Sequence, residues 1–207
     1  MHNKIIVVGI GPGSPDYILP LALKKISVAK ILVGSSRALN TYANDDIKKC
    51  NITGDLTRVM NFIDENLVTD DVTVLVSGDP GYYSLLPALK NRFPEEYIEI
   101  IPGISSMQVA FAKIKLPWQE ANLVSFHGRK PSSEQITYMP NKILGMLTDN
   151  IYNSRKIAEV LIDNNWPLDS SVWLCEKLSY DDEKIIKLSL EEVTKFAEIK
   201  HCIMVVK

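Results

Sequence analysis

Short apolar runs that stop abruptly in glycine-bearing loops recur three times in the first half of this chain, and no other feature restricts its fold as tightly. The run at 5–10 enters Gly9-Ile10-Gly11-Pro12-Gly13, and the run at 72–76 enters Ser77-Gly78-Asp79-Pro80-Gly81-Tyr82-Tyr83. The run at 97–101 enters Pro102-Gly103-Ile104-Ser105-Ser106. Short apolar runs bounded by glycine and proline read as buried strands. Between them, apolar residues at helical spacing predict helices over 18–29, 56–67, 82–91 and 105–113, and 31–33 reads as a further strand. Strands alternating with helices predict a parallel α/β sheet with helices on both faces. Such sheets take ligands outside the carboxyl ends of their strands, where all three glycine loops fall.

The pattern changes near Lys115-Leu116-Pro117-Trp118. Beyond it, 122–126, 142–147, 171–176, 184–188 and 202–206 read as strands, with helices at 153–164 and 190–197. This half is richer in strands, which predicts a mixed, partly antiparallel sheet. The sequence thus divides into an N-terminal α/β domain over 1–115 and a C-terminal α/β domain over 120–207. The division falls at about 114–120.

Composition narrows the function. The chain of 207 residues is 46% hydrophobic with a net charge of −2, which suits a soluble enzyme and opposes a general nucleic-acid binder. Residues 1–44 hold five basic groups (Lys4, Lys24, Lys25, Lys30 and Arg37) against Asp16 alone, so this region can receive an anionic small molecule. No apolar stretch reaches the length of a membrane span or a secretory signal core, which predicts a cytoplasmic protein. Cys50, Cys175 and Cys202 form no metal-ligand pair, and the latter two sit in apolar runs as small core residues. His2, His127 and His201 are too scattered to indicate a metal.

The first glycine loop invites a dinucleotide-binding reading, which fails on two counts. The fingerprint needs a glycine where Ser14 stands, and no Asp or Glu occurs from Tyr17 to Asn44 to hold a ribose. In the second loop Asp79 is placed to cap a helix with Pro80 in its first turn, while the loop backbone and Tyr82 face a ligand. Ser105 is placed to cap the helix after the third loop. In the second half, Ser125-Phe126-His127-Gly128-Arg129-Lys130 sets a histidine beside two cations in a glycine turn, a pattern suited to carboxylates.

Taken together, the loops resemble the tetrapyrrole methylase family, which carries a G-x-G-P-G loop, a G-D-P-x-x-Y loop and a P-G-[IVS]-S-S loop in this order. The second half agrees through Leu147-Thr148-Asp149, Ile157-Ala158, Glu176-Lys177-Leu178-Ser179 and Glu183-Lys184-Ile185. Gly34-Ser35-Ser36-Arg37 and the 125–129 segment look most like the branch that methylates C5 in the corrin pathway. The resemblance implies two α/β domains with S-adenosylmethionine folded between them, near Pro12, Asp79, Tyr82, Ser105, Ser106, Leu147, Glu176 and His201. It implies that the first glycine loop, with Gly11 and Gly13, faces an anionic tetrapyrrole of the cobalt-precorrin type.

Arg37, Arg129 and Lys130 are then candidate carboxylate clamps, with His127 a candidate proton shuttle and substrate contact. No protein-bound metal is implied. The resemblance further implies a homodimer, and a separate protein for the decarboxylating C15 methylation. Lys177-Leu178 stands where relatives carry smaller residues. The same fold also serves other precorrin positions and RNA or diphthine methylases. A nicotinamide oxidoreductase and a non-catalytic binding module are the readings outside that class.

Overall fold

A computed structural model describes residues 3–207, so His2 lies outside the described residues. The chain divides into two compact units, Met1–Ser105 and Ser106–Lys207. The first contains β1 (Ile5–Gly9), α1 (Pro20–Ser27), β2 (Ile31–Gly34), α2 (Ser36–Tyr42), β3 (Lys48–Asn51), α3 (Leu56–Leu67), β4 (Val72–Val76), α4 (Leu86–Arg92) and β5 (Ile98–Ile101). All five strands are parallel, in the order β3-β2-β4-β1-β5.

Strand residues alternate between two apolar layers. Ile5, Val7, Val33 and Val74 pack with Val59 and Ile63 of α3 and Leu89 of α4. Ile6, Val8, Leu32 and Leu75 pack with Ala22 and Ile26 of α1 and Ala38 and Leu39 of α2. Helices therefore cover both faces of the sheet, and its interior strands are buried throughout.

The second unit contains α5 (Ser106–Lys113), β6 (Asn122–Ser125), α6 (Ser133–Ile136), β7 (Leu144–Leu147), α7 (Ser154–Asp163), β8 (Ser171–Glu176), β9 (Lys184–Ser189), α8 (Leu190–Lys195) and β10 (Cys202–Val206). Its sheet runs β6-β7-β10-β8-β9. Only β6 and β7 are parallel; the other pairs are antiparallel, as the strand-rich pattern predicts. One face packs Val124, Met146, Leu174 and Met204 against α7 and α8. On the other, α5 lies over β7 where Gly145 leaves room: a Cβ there would stand 2.7 Å from Met107 Sδ and 2.9 Å from Phe111 Cε2. That packing places α5 with the second unit, so the division at 105/106 precedes the helix, whereas the change of sequence pattern at 114–120 follows it.

Three departures from the sequence reading have physical causes. The helix expected over 82–91 begins only at Leu86, because Tyr83 adopts φ +47°, a left-handed value that no right-handed helix accommodates. Strand β3 escapes the periodicity because Cys50 is its single buried residue. Helix α2 buries only Ala38 and Leu39 and is set by Ser35, whose hydroxyl accepts from Ala38 N at 3.3 Å. Cys50, Cys175 and Cys202 are all buried, and burial pushes the Cys175 and Cys202 thiols up to about 12.

Candidate functional site

The sheet order of the first unit makes neighbours of the three glycine loops, since β4, β1 and β5 lie side by side. Their loops meet backbone to backbone. A Cβ on Gly9 would fall 2.6 Å from the Gly78 carbonyl oxygen and 2.7 Å from Gly103 Cα. A Cβ on Gly103 would fall 2.2 Å from the same oxygen. Gly78 N donates to Gly11 O at 2.9 Å, and Ile10 N donates to Val76 O at 3.0 Å. Gly11 is buried at φ +76°, where a side chain would both strain the backbone and meet Tyr17 O at 2.8 Å. Pro12 and Gly13 follow it half-buried, ahead of a short turn at Pro15–Tyr17.

Asp79 does not cap a helix, contrary to the sequence reading. Its Oδ1 accepts from Gly81 N at 2.7 Å and its Oδ2 from Gly103 N at 3.0 Å. The carboxylate ties its own turn to the loop after β5, because the left-handed residue at 83 has displaced the helix that it would cap. Tyr82 stacks edge-on to Tyr83 with ring centroids 4.8 Å apart. Its hydroxyl is buried and has no hydrogen-bond partner, and that burial pushes its pKa up. Ser105 is buried, and Ser106 opens α5. Arg37, on α2, donates from Nη2 to Ser77 Oγ at 3.2 Å, which brings this predicted clamp to the loop after β4. A preceding residue, Ser36, accepts from Asn51 Nδ2 at 2.8 Å at the end of β3.

In the second unit, strand direction gathers the remaining candidates at one edge of the sheet. Leu147 ends β7 opposite Ser125 and Ile203, and Glu176 ends β8 opposite Cys202. His201 immediately precedes β10, and His127, Arg129 and Lys130 occupy the turn after β6, all exposed. His127 Nδ1 stands 3.4 Å from Thr148 O, and its ring lies 6.4 Å from that of His201. Lys177, the departure noted in the sequence, takes φ +50° and pairs with Asp182, while Leu178 is buried. Glu183 braces the same hairpin: it accepts from Ser179 N at 2.8 Å and pairs with Lys113 at 2.7 Å. Burial pushes Glu183 up, and these partners together hold it below the usual carboxylate value.

Asp149 is the organising residue that residue-type reasoning passed over. It is buried, yet its Oδ2 accepts from Gly128 N at 2.8 Å and its Oδ1 from Ile151 N and Tyr152 N at 2.8 and 2.6 Å. The Gly128 hydrogen bond first, with those of Tyr152 and Ile151, holds its pKa below 3.8 despite burial. In the sequence it stands in Leu147-Thr148-Asp149, which carried the family likeness without giving the aspartate a role.

The comparisons with known proteins agree with this fold. The family model of the Tetrapyrrole (Corrin/Porphyrin) Methylases matches residues 4–194. A Methanocaldococcus jannaschii protein named probable cobalt-precorrin-7 C(5)-methyltransferase is 32% identical, covering 96% of both chains. The crystal structure of precorrin-6Y methylase from Archaeoglobus fulgidus matches with a TM-score of 0.76 at 26% identity, over 99% of this chain and 97% of that one. Uroporphyrin-III C-methyl transferase from Thermus thermophilus, solved with S-adenosylhomocysteine, shares the fold with a TM-score of 0.76 at 20% identity, over 99% and 92%. With nearly the whole sequence inside the family model and the family's three glycine loops abutting along one sheet edge, the chain belongs to the tetrapyrrole methylases.

Proposed function

We propose that this chain transfers a methyl group from S-adenosylmethionine to C5 of cobalt-precorrin-7, a polycarboxylate tetrapyrrole of cobalamin biosynthesis. The observation that carries the reading is the glycine junction, where Gly9 and Gly103 have no room for a side chain, Gly78 holds a left-handed φ of +69°, and loop backbone is left for a ligand. The M. jannaschii relative, matched over 96% of both chains, is named for this step alone. The cofactor fits what the loops offer. The buried hydroxyl of Tyr82 has no partner in the protein and would gain one from a polar ligand atom, and the glycine cradle admits a bulky group close to the backbone.

When bound, S-adenosylmethionine supplies an electrophilic methyl on its sulfonium. We assign its binding to Pro12, Tyr82, Ser105 and Ser106, and on the family likeness to Leu147, Glu176 and His201. Asp79 acts through the loop that it holds, since its two oxygens engage Gly81 and Gly103. Gly11 and Gly13 shape the tetrapyrrole side of the first loop. Arg37, Arg129 and Lys130 are exposed cations that receive the substrate's carboxylates. The protein's main task is alignment of methyl donor and carbon, which can supply roughly 7–11 kcal/mol of barrier lowering.

A strong base is not required, because the macrocycle delocalises charge. His127 takes up the proton at Nε2, the nitrogen left free when Nδ1 faces the Thr148 carbonyl. The family likeness carries three further assignments: a cytoplasmic protein, a homodimer, checked by sedimentation, and decarboxylating C15 methylation by a separate chain. No helix among the described residues is long and apolar enough to cross a membrane.

Calorimetric titration with S-adenosylhomocysteine, with NAD as control, tests the cofactor, and methyl transfer to cobalt-precorrin-7 tests the substrate. Binding of the first ligand alone, followed by a C5-methylated product, is the expected result. A heat signal from NAD with silence from S-adenosylhomocysteine overturns the reading.

A further inference from the structure

Two consecutive residues after β7 tie down both histidine-bearing segments of the second unit. Thr148 Oγ1 accepts from Cys202 N at 2.8 Å, and its hydrogen faces the carbonyl oxygens of Lys200 at 2.9 Å and Cys202 at 3.0 Å. It thereby grips the backbone on both sides of His201. The Thr148 carbonyl faces His127 Nδ1 at 3.4 Å. A carbonyl oxygen only accepts, so this contact selects the Nδ1–H tautomer and leaves Nε2 a free acceptor. Asp149 then grips the other segment, taking Gly128 N through Oδ2 while Oδ1 takes Ile151 N and Tyr152 N.

A buried carboxylate is costly unless hydrogen-bonded, and three N–H donors make this one a three-point anchor. Local helix stability does not explain it. Helix α7 begins at Ser154 and has its own cap, Asn153, whose side chain accepts from Lys156 N at 2.9 Å. The bond to Gly128 spans 21 residues of sequence and ends in an exposed turn with open space around the glycine. That turn otherwise buries nothing from His127 to Lys130. What the anchor secures is therefore the backbone of the turn that carries His127 and Arg129.

We propose that Asp149 is a positioning residue for methyl transfer, setting the His127–Arg129 turn against the tetrapyrrole, with Thr148 setting His201 in the same way. The proposal deepens the function given above and rests on it. Its test therefore combines kinetics with a readout that needs no substrate.

The first arm is long-range ¹H–¹⁵N NMR of the imidazoles in wild type, Asp149→Asn and Thr148→Val. The wild type should show His127 as the Nδ1–H tautomer. Asp149→Asn should shift the His127 signals and spare those of His201, and Thr148→Val should move His201. The second arm is methyl transfer to cobalt-precorrin-7 at saturating S-adenosylmethionine. Asp149→Asn should lower kcat/KM by about 100-fold, the cost of ångström-scale misplacement, with S-adenosylhomocysteine affinity unchanged.

A fall in the unfolding midpoint alone, with His127 signals and kcat/KM unmoved, makes Asp149 merely structural and overturns the proposal. Absence of methyl transfer in the wild type overturns the proposed function, and the imidazole spectra still decide whether Asp149 sets His127. Should Asp149→Asn fail to fold, hydrogen exchange on the wild type decides. Protection of the Gly128 amide equal to that of Ile151 and Tyr152 supports the anchor, and free exchange at Gly128 overturns it.

Discussion

The two units build their loop clusters by opposite means. In the first, the loops touch through bare backbone: Gly9 and Gly103 abut the Gly78 carbonyl so closely that neither has room for a Cβ, and Asp79 adds a hydrogen bond across the contact to Gly103 N. In the second, a Cβ on Gly128 would meet nothing within 4 Å, and the side chains of Thr148 and Asp149 link the turns by hydrogen bonds. A junction made of backbone tolerates no substitution but leaves the rim free of side chains for a large ligand. A junction made of side chains leaves the turn residues free to vary while their direction is held. The lesson is that glycine gives closeness in the first unit, while a carboxylate holds a turn in the second.

The largest effect should come from Gly103→Ala. Its Cβ would lie 2.2 Å from the Gly78 carbonyl oxygen, so the backbone itself must shift. We expect a loss of about 3 kcal/mol or more in urea unfolding, at the upper end for overpacking. Tolerance of this alanine would break the comparison outright. Next, Asp79→Ala strips the acceptor from Gly81 N and Gly103 N and should cost about 1–3 kcal/mol, with weaker S-adenosylhomocysteine binding in calorimetry. Full cofactor affinity in that variant would confine Asp79 to stability.

Gly128→Ala tests the other regime. Nothing lies within reach of its Cβ, but φ is +68°, so we expect a cost of only about 1–2 kcal/mol from backbone strain. A loss as large as that at Gly103 would mean that the two junctions do not differ. Acid sharpens the contrast further. The folded pKa of Asp149 is held below 3.8, so its stabilisation is present above that value and is lost as pH falls through the folded pKa. The stability gap between wild type and Asp149→Asn should therefore be widest near neutrality and close in acid, as followed by denaturant titration across pH. A gap that persists unchanged in acid would show that its charge is not what anchors the turn. The smallest effect on stability, within about 0.5 kcal/mol, is expected for Arg129→Ala, an exposed residue. Its expected signature is weaker tetrapyrrole binding with intact cofactor binding, checked by paired titrations.

Much of the architecture was legible in local sequence. The unbroken apolar run Ile5–Val8 and the helical spacing of Val59, Met60 and Ile63 carry both the strand and the helix that covers it. The three glycine loops marked the ends of strands that the sheet order then made neighbours. Strand β3 was illegible because an edge strand with one buried residue has no period to detect. The helix expected from Tyr82 was lost to a single left-handed residue, Tyr83, for which composition carries no sign.

By itself, then, the sequence determined the α/β class, the buried strands and the residue types at the site, because periodicity, glycine and capping act over a few neighbouring residues. Only the tertiary structure decided what those residues do together. Asp79 bonds Gly103 across 24 positions and Asp149 bonds Gly128 across 21, and both pairings depend on which strands become neighbours. Strand order is a long-range choice made by packing whole layers, so the orders β4-β1-β5 and β6-β7-β10-β8 bring the site residues of each unit to one edge. Local propensity holds no record of that choice, which is why a helix cap on paper became a clasp between loops.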